Sequence, residues 1–146
     1  MKVSENGINL IKQFEGLRLQ AYLCSGNVWT IGWGATEING VKVKEGDELK
    51  LEDAHQLLKS DLQKFEHLVK SRIKISLTQN QFDALVSHAF NTGGSDTLFH
   101  LINFKGSKEK IKDWIENRYI TADGKVVNGL ISRRAKEANL FFLDDC

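Results

Sequence analysis

At 146 residues, with 41% hydrophobic and 27% charged residues, the chain has the mix of a soluble globular protein and room for one domain with a real core. Twenty basic residues against nineteen acidic leave a formal charge of +1, so no overall field points to nucleic acid or an anionic membrane as partner. No apolar run has the length of a signal peptide or a membrane span, and neither Cys24 nor Cys146 belongs to a paired spacing of a disulfide framework or a zinc site. The histidines (His55, His67, His88, His100) lack the i, i+4 pairing of a helical metal site, so neither a metal nor a cofactor is expected.

In chain order, Ile8, Ile11 and Phe14 recur every third residue and predict a helix over 4–14, stopped by Gly16. Glycines then crowd the segment from Gly16 to Gly46, around alternating, β-rich pieces such as "NVWTIGW" and "GVKVKEG" that predict one small sheet of two or three short strands. Leu51, Ala54, Leu58, Leu62, Phe65 and Val69 hold one helical stripe and predict a single long helix over 51–71. From Thr78 onward, helical pieces around "QNQFDALVSHAF", "SDTLFHLINF", "SKEKIKDWIENRY" and "NGLISRRAKEANLFF" are separated by turns at Gly93-Gly94, Gly106 and Asp123-Gly124. The outline is α+β and mostly helical: a sheet lobe over about 15–50, the connecting helix, and a helical lobe over about 72–146 that takes in the N-terminal helix. A cleft between the lobes is the expected site.

Glu15 ends the first helix and would stand at the rim of that cleft. A carboxylate there faces the negative end of the helix dipole and is partly desolvated by Phe14; both effects favour the protonated form that a general acid needs. Taken singly, Glu15 reads as a solvated helix end, Cys24 as a small buried hydrophobe and Thr30 as an ordinary strand residue.

Their joint spacing says more. In "FEGLRLQAYLCSGNVWTIGWG", eight residues separate Glu15 from Cys24 and five separate Cys24 from Thr30, with Gly32 and Gly34 following at once. This resembles the family 24 glycoside hydrolases, the lysozyme-type endolysins of tailed phages, whose motif is a glutamate, eight residues, an aspartate or less often a cysteine, five residues, and threonine within "TxGxG". The stretches "QNQFDALVSHAFNTG" and "GLISRRAKEANLF" look like further family signatures, so the resemblance covers nearly the whole chain.

The resemblance implies a lysozyme-like fold and hydrolysis of the β-1,4 bond between N-acetylmuramic acid and N-acetylglucosamine in peptidoglycan, with Glu15 as general acid. Glycan strands would be the partner, the protein is expected to be a monomer, and release from the host cytoplasm would run through a separate pore, a holin. At Cys24, where most members have aspartate, two roles stay open: with Thr30 it holds and activates a water, giving inversion, or its sulfur attacks the anomeric carbon, giving retention. Thr36, Phe90 and Asn91 are carried over as substrate-binding residues, with Phe90 equally readable as core. The family's usual histidine after "TxGxG", which often pairs with a carboxylate on the long helix, is Ala35 here.

Arg133 and Arg134 read by default as a solvated face, although the family leads one to expect one of them near the glutamate; the lysines of "KGSKEKIKDW" read as solvated too. Trp29, Trp33 and Trp114 read as core or cleft wall. Two other functions compete: a wall-binding module of the same fold that has lost catalysis, and a peptidase using Cys24 with His88 or His100 as base.

Overall fold

The computed structural model describes residues 1–24 and 26–145, so Cys146 lies outside the described residues. The chain forms two compact units, Ile11–Lys64 and Met1–Leu10 together with the chain from Phe65 onward. Helix α1 (Glu5–Glu15) and helix α2 (Leu51–Arg72) each contribute residues to both.

In the unit Ile11–Lys64 the glycine-rich segment builds two hairpins where one sheet was expected. Strands β1 (Arg18–Leu23) and β2 (Trp29–Gly32) pair antiparallel, with Tyr22 opposite Thr30 and Leu23 opposite Trp29. Strands β3 (Glu37–Ile38) and β4 (Val41–Lys42) make a separate pair. Their turn is Asn39-Gly40, with φ of 51° and 81°, the positive values that an Asn-Gly hairpin turn supplies. The free edge of β1 is met by an extended segment rather than by β3: Asp47 O accepts from Ala21 N at 2.8 Å, and Leu19 O accepts from Leu49 N at 2.8 Å. Ile31, Ala35 and Val43 form the buried centre, with Ala21, Trp29, Ile38, Leu49 and Leu57 packed on it. Ala35 is thus core, a small apolar residue in a position where an imidazole would have to be solvated or paired.

The other unit is helical: α3 (Gln79–Thr92), α4 (Asp96–Asn103), α5 (Lys108–Asn117) and α6 (Asn128–Phe141), with a short hairpin of β5 (Thr121–Ala122) and β6 (Lys125–Val126) turning at Asp123-Gly124. Helix α3 starts in a reciprocal capping box between Thr78 and Gln81 and ends at Gly93 in the left-handed region, φ 86°. Ser95 and Ser107 cap α4 and α5. Every residue from Phe82 to Ala89 is buried, including Asp83, which no apolar pattern reveals. Its carboxylate accepts from Ser4 N at 3.0 Å, from Ser4 Oγ and from Gln79 Nε2 at 2.8 Å, so it satisfies the start of α1 as a distant cap. Gly7 lets that happen: a Cβ there would stand 2.7 Å from Asp83 Cγ.

Candidate active site

Glu15 is the last residue of α1 and half-buried. The helix stops because Gly16 takes φ +66°, its N–H still closing on Lys12 O at 3.2 Å. The carboxyl lies on the turn that follows β2: Oε2 is 3.0 Å from the point where a side chain on Gly34 would begin.

Cys24 and Thr30 belong to one hairpin. Cys24 follows the last residue of β1, is exposed, and closes the loop through Cys24 N to Val28 O and Asn27 N to Cys24 O, each 2.9 Å. Thr30 sits opposite Tyr22 in the ladder, and alternation brings Cys24, two residues beyond Tyr22, to the Thr30 side. Thr30 is 5% exposed and donates its hydroxyl hydrogen to Val28 O at 3.1 Å, so its lone pairs remain to accept a hydrogen from another group. A hydroxyl with that acceptor capacity can take one hydrogen of a water.

Thr36 is exposed and lines a cavity of about 300 Å³ with Asn27, Val28, Trp29, Glu37, Lys42 and Val43. Phe90 and Asn91 belong to the helical unit, in the last turn of α3. Phe90 is half-buried and meets Phe65 edge to face, ring centres 5.6 Å apart. Asn91 is exposed, and its Oδ1 accepts from Arg134 Nη2 at 2.5 Å.

Arg133 and Arg134 correct the expectation of a solvated face: they are 2% and 0% exposed. Glu137, one turn on and 1% exposed, pairs with both, Arg133 Nε to Oε2 at 3.3 Å and Arg134 Nε to Oε1 at 3.1 Å. Ser87 Oγ also donates to Glu137 Oε2, at 2.5 Å. The default failed because burying a charge is costly unless it is paired and hydrogen-bonded, and here it is both. A sequence signal existed: Leu130, Arg134, Ala138 and Phe141 share one helical stripe, with Glu137 at i+4 and i+3 from the two arginines.

His88 lies near this cluster. Burial first, then Arg134 and Arg133, push its pKa down to about 3 from the ordinary 6.5. Its ring stands edge-on to Tyr119, and among the described residues its Nε2 has no hydrogen-bond partner. In the other unit, Asp61 on α2 is pushed up to about 6 from 3.8, by burial first and then by Glu37. The sequence also hid Lys12, whose Nζ stands 2.6 Å from His55 Nδ1 and 4.5 Å from the ring centre of Trp33. Trp33 is core as expected, Trp29 packs on the buried centre, and Trp114 Nε1 donates to Ser95 Oγ at 3.2 Å. Lys105, Lys108, Lys110 and Lys112 are exposed, as read from the sequence.

Among the described residues no cluster of three metal-ligating side chains could hold an ion, and no helix is long and apolar enough to cross a membrane. The family of phage lysozymes matches residues 12–137. The endolysin of Acyrthosiphon pisum secondary endosymbiont phage 1 is 36% identical over 97% of this chain and 98% of its own length. The endolysin of Bacillus phage B103 is 39% identical over 97% of this chain, but the chain spans only 54% of that relative's length. The solved structure of an endolysin from Escherichia coli O157:H7 phage FAHEc1 superposes with a TM-score of 0.88 and 37% identity, over 100% of this chain and 96% of the other. The fold is therefore lysozyme-like, mostly helical with small antiparallel hairpins.

Proposed function

This chain belongs to the phage lysozyme family, and on that premise we propose that it is an endolysin, a lysozyme-type hydrolase of bacterial peptidoglycan. The bond cut is the β-1,4 link between N-acetylmuramic acid and N-acetylglucosamine, and the outcome is lysis of a phage's host. The protein acts as a monomer, held in the host cytoplasm until a separate pore releases it to the wall.

The observation that supports this reading is the half-buried carboxyl at the end of α1, which meets the turn after β2 in the same compact unit as the hairpin that carries Cys24 and Thr30. Glu15 protonates the leaving oxygen. Thr30 accepts one hydrogen of a water through its remaining lone pairs, and Cys24 engages the same water, which then attacks the far face of the sugar with inversion. The acceptor capacity of Thr30, which can seat such a water, favours this role over direct attack by sulfur. Thr36, Phe90 and Asn91 supply substrate contacts, a hydroxyl, an aromatic face and an amide of the kind that suit pyranose rings.

Purified peptidoglycan incubated with the protein should release reducing sugar ends and no amines. Glu15→Gln should remove this activity by about 10²–10⁴ while the melting temperature holds, since the amide cannot give up a proton. Release of amines, or a Glu15→Gln variant keeping more than about a tenth of the rate, would overturn the reading.

A further inference from the structure

The unit Ile11–Lys64 contains several glycines with positive φ, and their surroundings differ. A side chain on Gly16, Gly40 or Gly46 would meet nothing within 4 Å, and one on Gly32 would make ordinary contacts from 3.7 Å outward. On Gly34 it would begin 3.0 Å from Glu15 Oε2 and 3.8 Å from Glu15 Cδ. The carboxyl therefore rests on bare backbone, in space that any other residue would fill.

The turn is gripped from the same helix face. Lys12 stands three residues before Glu15 on α1, a spacing that puts both side chains on one face. Its ammonium lies 4.5 Å from the ring centre of Trp33, the residue before Gly34, and 2.6 Å from His55 Nδ1. An ammonium has only hydrogens to offer, so the imidazole nitrogen is the acceptor. The His55 ring in turn packs on Trp33 with centres 5.0 Å apart. Lys12 thus holds Trp33 while Glu15 meets Gly34, two successive contacts that set the register between the last turn of α1 and the turn after β2.

We propose that Gly34 is a positioning residue for Glu15, and that the Lys12–His55 pair on Trp33 is the clamp that keeps the carboxyl seated on it. This rests on the reading of Glu15 as general acid. Proton transfer to a leaving oxygen demands a donor within hydrogen-bond reach, and small misplacements in such sites cost rate steeply. Gly34 then matters to the reaction through the space it leaves empty, beyond the conformational need for glycine at φ +85°.

A matched pair of variants separates the two roles. Gly34→Ala and Gly40→Ala carry similar backbone strain, at φ +85° and +81°, but only the first meets the carboxyl. Melting temperature, kcat and KM are measured on purified peptidoglycan in suspension, by release of reducing ends. Both variants should lose comparable thermal stability. Gly40→Ala should keep kcat within about twofold, whereas Gly34→Ala should lose about tenfold or more in kcat with KM nearly unchanged. Equal kcat in the two variants, or a loss confined to KM, would overturn the proposal. Should Gly34→Ala fail to fold, Lys12→Met, which leaves the turn's backbone alone, should lower kcat by about threefold or more; unchanged kcat there would equally sink it. Glu15→Gln in parallel tells the two ideas apart: if it stays active the general-acid reading has failed, and if it is dead while Gly34→Ala matches Gly40→Ala, only the positioning role has.

Discussion

The two units treat charge in opposite ways. Around α3 and α6, Arg133, Arg134, Glu137 and Asp83 are at most 2% exposed; Glu137 forms ion pairs with both arginines, and Ser87, Asn91, Ser4 and Gln79 supply hydrogen bonds to the group. In Ile11–Lys64 the polar groups assigned to chemistry sit at the ends of elements: Glu15 at a helix end, Cys24 in a hairpin loop, Thr30 with acceptor capacity left over. A charge whose partners are built into the protein serves the fold, because breaking such a pair leaves a desolvated charge behind. A hydroxyl such as that of Thr30, whose donor is spent on Val28 O and whose lone pairs are not, can give that acceptor capacity to a substrate or a water.

The contrast is tested most strongly at Glu137. Glu137→Gln removes a negative charge that faces two buried guanidinium groups, and the expected loss of stability is about 3 kcal/mol or more by urea unfolding. A loss below about 1 kcal/mol, the scale of an exposed pair, would mean that this cluster resembles a surface ion pair.

His88 gives the next largest effect. The unfolded chain binds its proton near 6.5 and the folded one only near 3, so between these values the folded state holds fewer protons and stability rises with pH. The contribution of neutral His88 is complete above 6.5 and is lost as pH falls toward 3, with a slope of at most about 1.4 kcal/mol per pH unit. His88→Leu should flatten the decline of melting temperature between pH 6.5 and pH 4; an unchanged slope would exclude His88 as its source.

On the other side, Cys24→Asp should stay active, because a carboxylate can hold the same water, and Cys24→Ala should lose about tenfold in rate. Alkylation of the Cys24 thiol should also abolish activity, measured in a background with Cys146 replaced so that the reagent reports on Cys24 alone. Full activity of Cys24→Ala would make Thr30 sufficient. Product of retained configuration by NMR, turning to inverted in Cys24→Asp, would make sulfur the nucleophile.

The smallest effect is expected at Asp61. Its raised value means that the folded state binds more protons between pH 3.8 and pH 6, so stability falls as pH rises through that window, opposite in sign to His88. Asp61→Asn should therefore stabilise the protein above pH 6, by less than about 1 kcal/mol because the group is half-exposed and solvent screens its repulsion with Glu37. Equal stability of variant and wild type at pH 8, after equal stability at pH 4, would show that Glu37 and burial cost Asp61 nothing.

Much was legible in sequence because it depends on near neighbours. The stripe from Leu51 to Val69 marks a helix observed as Leu51–Arg72, and the pattern of α1 places Glu15 at the end of a helix observed as Glu5–Glu15. The interval from Glu15 through Cys24 to Thr30, with the stretches "QNQFDALVSHAFNTG" and "GLISRRAKEANLF", carries the resemblance to the phage lysozyme family that the comparisons show. Alternation, however, records which residues prefer a strand and not which strand each will meet, so the same segment was read as one sheet and folds as two hairpins. Charge in sequence is likewise silent about burial: Arg134 reads as surface until Glu137 and Asn91 are seen to complete its surroundings, the latter 43 residues away. Lys12 and His55 are as far apart in the chain, and Glu15 and Gly34 meet only after α1 has packed on the turn that follows β2. Helix and hairpin propensities are written within a few residues, whereas the seat of the carboxyl is a distance between segments, which exists only once the apolar faces of those segments have been buried together.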